Sequence, residues 1–325
     1  MTDKHYDDIP ELSFANDGTF LKAPAADPPE LPAETDVAVY GAPFDGSVSR
    51  RPGTRYGPDA LRSASAWYDH FAGVPEGAYN ADTDRHVAHE SVTIRDCGDA
   101  PTVPNDVERT RAQVKGYAQT IAETSFPVML GGDHYLTYPA FEGFAETVDG
   151  DVGLIHLDAH SDTMGDGELY GRHWHGSPMA RIDELPSGGY ENHAMVGIRG
   201  YERDGFRDLV DSDGLLVKYA RDVRAEGIDA AIEAAIEHAS SGTDHVYVTV
   251  DIDAVDPAYA PGTGTPEPGG LTSAQFLRAM DLLGGCEAVG AMDLVEVSPP
   301  LDDDSDTTAM LGANAVVRFL ESHFC

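Results

Sequence analysis

Basic residues are scarce in this chain: 21 lysines and arginines stand against 57 aspartates and glutamates, for a formal net charge of −36. That deficit argues against nucleic acid and anionic membranes as partners, because both would be repelled. Cysteine is nearly absent as well. Cys97, Cys286 and Cys325 are odd in number, far apart and outside any Cys-x-x-Cys spacing, which excludes a disulfide framework and a thiolate metal site. No apolar run approaches the ~20 residues that span a bilayer. The opening MTDKHYDDIPELSF carries acids and a proline where a secretory signal needs an apolar core, so a cytoplasmic protein is expected. Core-forming residues are not lacking. A hydrophobic fraction of 41% is ordinary for a globular protein, and the acid excess therefore predicts adaptation to concentrated salt, which screens the repulsion, rather than disorder.

Residues 1–35, rich in Asp, Glu, Pro and Ala, read as an extended arm lying on the surface or on a neighbouring subunit. Residues 36–325 read as a single catalytic domain. Within it, short apolar runs at 37–40, 92–94, 127–130, 152–157, 194–198, 215–218, 246–250 and 288–295 have the character of buried strands. Helical patterns fall at 58–71, 107–123, 135–148, 225–239, 273–283 and 307–322. Such alternation predicts an α/β fold with a parallel sheet, and periodicity alone leaves an open sheet and a barrel equally possible.

The densest chemical signal lies at three strand ends. VMLGGDH places Asp133 and His134 after one strand, LIHLDAHSD places Asp158, His160 and Asp162 after another, and VYVTVDID places Asp251 and Asp253 after a third. Ligands bind at the carboxyl ends of strands in both open sheets and barrels. Extended backbone points residues i and i+2 to the same side, so Asp158, His160 and Asp162 can converge, as can Asp251 and Asp253. One aspartate in so acidic a chain is ordinarily a solvated surface group. Carboxylates emerging together from apolar strands would instead be costly to bury without cations. Two divalent ions would match the charge of Asp158, Asp162, Asp251 and Asp253, with His134 and His160 as neutral ligands. Oxygen and imidazole donors favour Mn, Fe, Co, Ni or Zn, and such a pair lowers the pKa of shared solvent to supply a nucleophile. The glycine-rich PGTGTPEPGG at 261–270 lacks the Gly-Lys-Ser/Thr ending of a phosphate loop.

These blocks, GGDH at 131–134, DAHSD at 158–162 and DIDAVDPAYAPGTGTPEPGG at 251–270, resemble the signatures of the arginase and agmatinase (ureohydrolase) family. PFDGSVSRRPGTRYGPDALR at 43–62 is similar to that family's N-terminal block. The resemblance implies a three-layer α/β/α fold with an open, mainly parallel eight-stranded sheet. It also implies two divalent metal ions, usually Mn2+, with Ni2+ or Co2+ as alternatives. One ion would be held by His134, Asp158, Asp162 and Asp251, and the other by Asp158, His160, Asp251 and Asp253. By the same resemblance, activated solvent attacks a guanidinium carbon and releases urea and an amine. Glu296 binds the planar cation, His175 shuttles protons with His173 as its rival, and Asp162 takes the proton of the attacking solvent. The resemblance further implies a homo-oligomer, a trimer or hexamer.

The substrate expected is a small cationic guanidino compound. Arginases resemble Asn-x-His-Gly where this chain has His173-Trp174-His175-Gly176, which disfavours arginine, and the TPEPGG ending looks agmatinase-like. Agmatine, cleaved to putrescine and urea, is the first expectation, with Asp166 and Glu168 as candidates to meet its distal ammonium. Arg172 points instead to a carboxylated substrate such as guanidinobutyrate, guanidinopropionate or formiminoglutamate, and Trp174 with Tyr170 could shorten the pocket enough for free guanidine. Rival readings are a single-zinc deacetylase-like amidohydrolase, against which His134 and the full second-metal set argue, and a non-catalytic scaffold subunit.

Overall fold

The computed structural model describes residues 18–72, 78–87, 92–167, 169–212 and 214–325. Its strands are β1 (Val37–Ala42), β2 (Ala78–Asn80), β3 (Arg85–Val87), β4 (Ile94–Asp99), β5 (Phe126–Gly131), β6 (Val152–Leu157), β7 (His193–Val196), β8 (Leu216–Lys218), β9 (His245–Asp251) and β10 (Val289–Val295). Its helices are α1 (Gly57–Ala72), α2 (Val107–Ala122), α3 (Thr137–Ala145), α4 (Pro178–Asp183), α5 (Phe206–Ser212), α6 (Ala220–Glu226), α7 (Ile228–Ala239), α8 (Ser273–Gly284) and α9 (Thr307–Phe324).

Eight strands form one open sheet in the order β4-β1-β5-β10-β9-β6-β7-β8, and every neighbouring pair is parallel. The barrel alternative is thereby excluded, since β4 and β8 remain edges. β2 and β3 form a separate antiparallel hairpin. The reason the strands read as continuous apolar runs is visible in β1 and β6, each buried at every residue, because helices cover both faces. Alternate residues divide between two cores. Val37, Val39, Val248 and Val250 pack with Leu61 of α1, Ile232 of α7, Phe276 of α8 and Phe319 of α9. Ala38, Tyr40 and Tyr247 pack with Val114 of α2, Phe141 of α3 and Met179 of α4. The result is the expected three-layer α/β/α architecture.

Chain order fixes where the site lies. From β1 the chain builds β4 on one side and β5 on the other, runs out through β6, β7 and β8, then returns with β9 and β10 between β5 and β6. The carboxyl ends of β5, β10, β9 and β6 therefore stand side by side at a reversal of strand order, where α/β sheets form ligand crevices.

Some expected elements differ in detail. The strand expected at 92–94 lies at Ile94–Asp99, and the helix expected at 225–239 is two helices broken at Gly227, whose φ of 94° is a left-handed conformation suited to glycine. The helix expected from 135 begins as a 3-10 turn at His134–Leu136. The described part of the N-terminal arm is anchored to the body of its own chain: Phe20 is fully buried, its N–H donates to Asp96 Oδ2 at 2.7 Å, and Leu21 N–H donates to Ser65 Oγ. Among the described residues, no helix is long and apolar enough to cross a membrane.

Candidate metal centre and active site

His134 opens the 3-10 turn three residues past the end of β5 and is fully buried. Its approach is set by the two glycines before it, since a Cβ at Gly132 would run into the Phe44 backbone and one at Gly131 into Val295. Its Nδ1 lies 3.0 Å from Asp158 Oδ2, 3.0 Å from Asp162 Oδ2 and 3.2 Å from Asp251 Oδ2. Its Nε2 lies 3.0 Å from Thr249 Oγ1, which in turn donates to Asp293 Oδ1 at 2.7 Å, while Tyr247 OH donates to Asp293 Oδ2. Thr249 has one proton and gives it to a carboxylate, so it accepts from His134 Nε2–H. That direction leaves the Nδ1 lone pair facing three carboxylate oxygens, without a hydrogen-bond partner.

The second half of the cluster is built on β6 and β9. His160 Nδ1 lies 3.1 Å from Asp253 Oδ2 and 3.5 Å from Asp158 Oδ1. Backbone N–H groups orient the carboxylates: His160 N donates to Asp158 Oδ1, Ala159 N to Asp253 Oδ1 and Asp253 N to Asp251 Oδ1. Asp158, Asp251 and Asp253 are buried. Burial, followed by the neighbouring charges of Asp253 and Asp158, drives the Asp251 carboxyl well above its usual range. Four carboxylates converge here, and among the described residues no lysine or arginine forms an ion pair with them. The buried Nδ1 lone pair facing oxygens fits a bound cation, and the all-oxygen and imidazole donor set fits divalent transition ions.

His156 was not singled out in the sequence, yet it is fully buried with Nε2 2.7 Å from Asp158 Oδ2 and its ring edge-on to His134 at 5.0 Å. Its signal was the i, i+2 rule itself, which extends one step back from Asp158 into the apolar strand.

Next to this cluster sits Glu296, the residue after β10. Its φ of 63° is left-handed, as is the 49° of Asp162; such strain in non-glycine residues concentrates at functional sites. Glu296 Oε1 accepts from His134 N–H and from His175 Nδ1, both at 3.0 Å, while Oε2 is buried without a partner. His175 Nε2 accepts from Ser49 N–H at 2.9 Å and contacts Ser49 Oγ at 2.7 Å. Burial alone would lower the His175 pKa, but the Glu296 hydrogen bond and charge outweigh it and push it up to about 9. The N-terminal block thus has a specific task. Ser49 caps His175, Ser47 binds Asp133 through both N–H and Oγ, and Asp45 ties the loop at Gly53 N–H and Arg55.

A cavity of about 200 Å³ opens onto these groups, lined by His160, Asp162, Trp174, His175 and Asp251 among others. Of the residues expected to bind substrate, Glu296, His173, Arg172 and Asp166 do not line it, Glu296 being buried behind His175. His173 is turned away, its Nδ1 2.9 Å from Tyr135 OH and its Nε2 2.9 Å from Glu108, which leaves His175 as the histidine beside Glu296. Arg172 pairs with Glu184 and Asp166, and Asp166 also meets Arg181, so the two charges on which opposite substrate expectations rested engage each other and α4. Glu168 lies outside the described residues. Trp174 does line the cavity, stacked on Tyr170 at 4.6 Å. The 261–270 stretch forms a wall: Thr265 Oγ1 donates to Asp253, and Arg199 clamps the Asp253 and Glu267 carbonyls.

Comparison with known proteins agrees with this geometry. The chain is 36% identical to human mitochondrial guanidino acid hydrolase, over 89% of this chain and 80% of that one. It is 37% identical to the agmatinase of Chromobacterium violaceum, over 88% and 83%. The solved structure of proclavaminate amidino hydrolase from Streptomyces clavuligerus superposes with a TM-score of 0.84 at 32% identity, covering 96% of this chain and 99% of that one. The profile described as "Arginase family" matches residues 35–321, and the chain belongs to that family of binuclear-metal hydrolases acting on guanidino C–N bonds.

Proposed function

We propose that the protein is a manganese-dependent ureohydrolase that cleaves a small linear guanidino compound to urea and an amine. The observation that carries this reading is the pairing of two unsatisfied buried groups: His134 Nδ1 facing three carboxylates, and Glu296 Oε2, buried without a partner on the residue whose Oε1 holds His134 N–H and His175. His134, Asp158, Asp162 and Asp251 would hold one ion, and Asp158, His160, Asp251 and Asp253 the other. When bound, the ions lower the pKa of solvent and neutralise the carboxylates.

The chain's own residues then have separable tasks. Glu296 Oε2 accepts from the guanidinium N–H donors, a charge-assisted contact that orients the planar group. Asp162 lines the cavity and takes the proton that the attacking solvent molecule gives up. His175, whose pKa the Glu296 carboxylate pushes up to about 9, holds a proton on Nδ1 against Glu296 and supplies it to the leaving nitrogen. Trp174 excludes water from one wall. Agmatine was the substrate favoured by the TPEPGG block, but of the two carboxylates offered for its ammonium Asp166 is engaged by arginines outside the cavity, and Glu168 lies outside the described residues.

Metal analysis with a urea assay tests the proposal. Protein loaded with manganese should bind two ions per chain and release urea, and Asp251→Ala should lose both properties with its circular dichroism unchanged. Fewer than two ions per chain after loading with Mn, Ni or Co, or full turnover by Asp251→Ala, would refute it.

A further inference from the structure

The loop that follows β7 carries a charge that the catalytic machinery does not use. Among the residues lining the active-site cavity, Arg203 is the single lysine or arginine. Its backbone carbonyl accepts from Phe206 N–H, but its guanidinium has no hydrogen bond or ion pair among the described residues. The neighbouring acid makes no ion pair with it among the described residues. Glu202 is committed to Ser161, accepting from its N–H at Oε1 and its Oγ at Oε2, both at 2.8 Å.

Behind Arg203 lies a second cavity of about 580 Å³ that shares Glu202 and Arg203 with the first and is also lined by Arg199, Arg207, Arg221 and Arg224. Five of the chain's 21 basic residues thus converge on one side of the substrate cavity in a protein of net charge −36. Asp211 partly offsets Arg207 at 3.7 Å, Arg224 donates to the Gly269 carbonyl, and Arg199 is spent on backbone carbonyls. Arg203 is the member of the group that reaches the substrate cavity without a partner. A field so concentrated in a cleft favours an anion at that end and repels a second ammonium.

We infer that Arg203 is a specificity-determining residue that pairs with the distal carboxylate of a guanidino acid. Met164 and Trp174, on the walls of the same cavity, flank the methylene stem between the carboxylate and the guanidinium. This inference rests on the ureohydrolase reading and names the substrate class for it.

The test compares kcat and KM of the manganese-loaded enzyme for 3-guanidinopropionate, 4-guanidinobutyrate and agmatine at one fixed salt concentration. Wild type should favour a guanidino acid over agmatine by at least about tenfold in kcat/KM. Arg203→Ala should raise KM for the acid by about tenfold or more with kcat nearly unchanged, Arg203→Lys should restore part of it, and neither should impair agmatine turnover. Preference of the wild type for agmatine, or an equal effect of Arg203→Ala on all three compounds, would overturn the inference while leaving the ureohydrolase reading intact. Loss of agmatine turnover in Glu202→Gln, with wild type preferring agmatine, would also overturn it and assign the distal end to Glu202. Absence of urea from every guanidino compound would instead strike the ureohydrolase reading itself.

Discussion

Thr249 stands behind His134 with Oγ1 3.0 Å from Nε2, and passes its own proton to Asp293. This one-way chain, running from β9 to β10, fixes the tautomer that exposes Nδ1 to the carboxylates. Partners of this kind orient metal ligands and tune affinity. Thr249→Val keeps the shape of the side chain and removes the acceptor. Its manganese affinity should fall by about 10- to 100-fold, read by titration of the metal-free protein, with global stability changed far less than by loss of Asp251. Unchanged affinity would mean that the tautomer is set by something else.

The pair His175–Glu296 predicts a pH signature in the metal-free protein. A histidine whose pKa rises on folding, here from 6.5 to about 9, contributes stability that is fully present below the unfolded value and is lost as pH rises through the folded one. The difference in unfolding free energy between wild type and His175→Asn should therefore shrink between pH 6.5 and pH 9. The span amounts to at most about 3 kcal/mol, since the Ser49 N–H aimed at Nε2 opposes protonation. Denaturant melts at several pH values check it, and a constant difference would show that His175 is neutral throughout.

Salt provides an independent handle on the acid excess. Screening lengths fall from about 10 Å at 0.1 M to about 3 Å at 1 M, so the mutual repulsion behind a net charge of −36 weakens. The thermal midpoint should climb by about 5 °C or more between 0.1 and 2 M KCl. A flat response in differential scanning calorimetry would remove the case for adaptation to concentrated salt.

How much of this was legible before the fold was known depends on the range of the interactions involved. The central strands could be read because burial on both faces makes their composition nearly all apolar, as in β1 and β6, whereas the edge strand β4, IRDCGD and only partly buried, was placed too early. Asp158, His160, Asp251 and Asp253 could be named from their spacing at strand ends, although His160 lies past the end of β6 and Asp253 in a 3-10 turn after β9, so loop backbone rather than strand alternation brings them together. His156 was hidden by its apolar neighbours, since one histidine inside VGLIHL looks like part of a core run. Thr249 and Asp293 were invisible because their roles arise from register between β9 and β10. The pairing of Asp166 with Arg181 brings a loop against α4, a helix of six residues too short to announce itself by periodicity. Arg203 likewise acquires meaning only when its loop is folded over Ser161.

The late return of β9 and β10 into the middle of the sheet also dictates an order of assembly. β5 and β6 are complete by residue 157, yet they acquire their neighbours β10 and β9 only after residue 245. On a growing polypeptide both strands wait with open apolar edges, an aggregation hazard, and His134 and Asp158 stay separated until the last third of the chain has emerged. Ion capture is thus deferred to the closing act of folding, and a nascent chain stalled before β9 should be the species most in need of a chaperone.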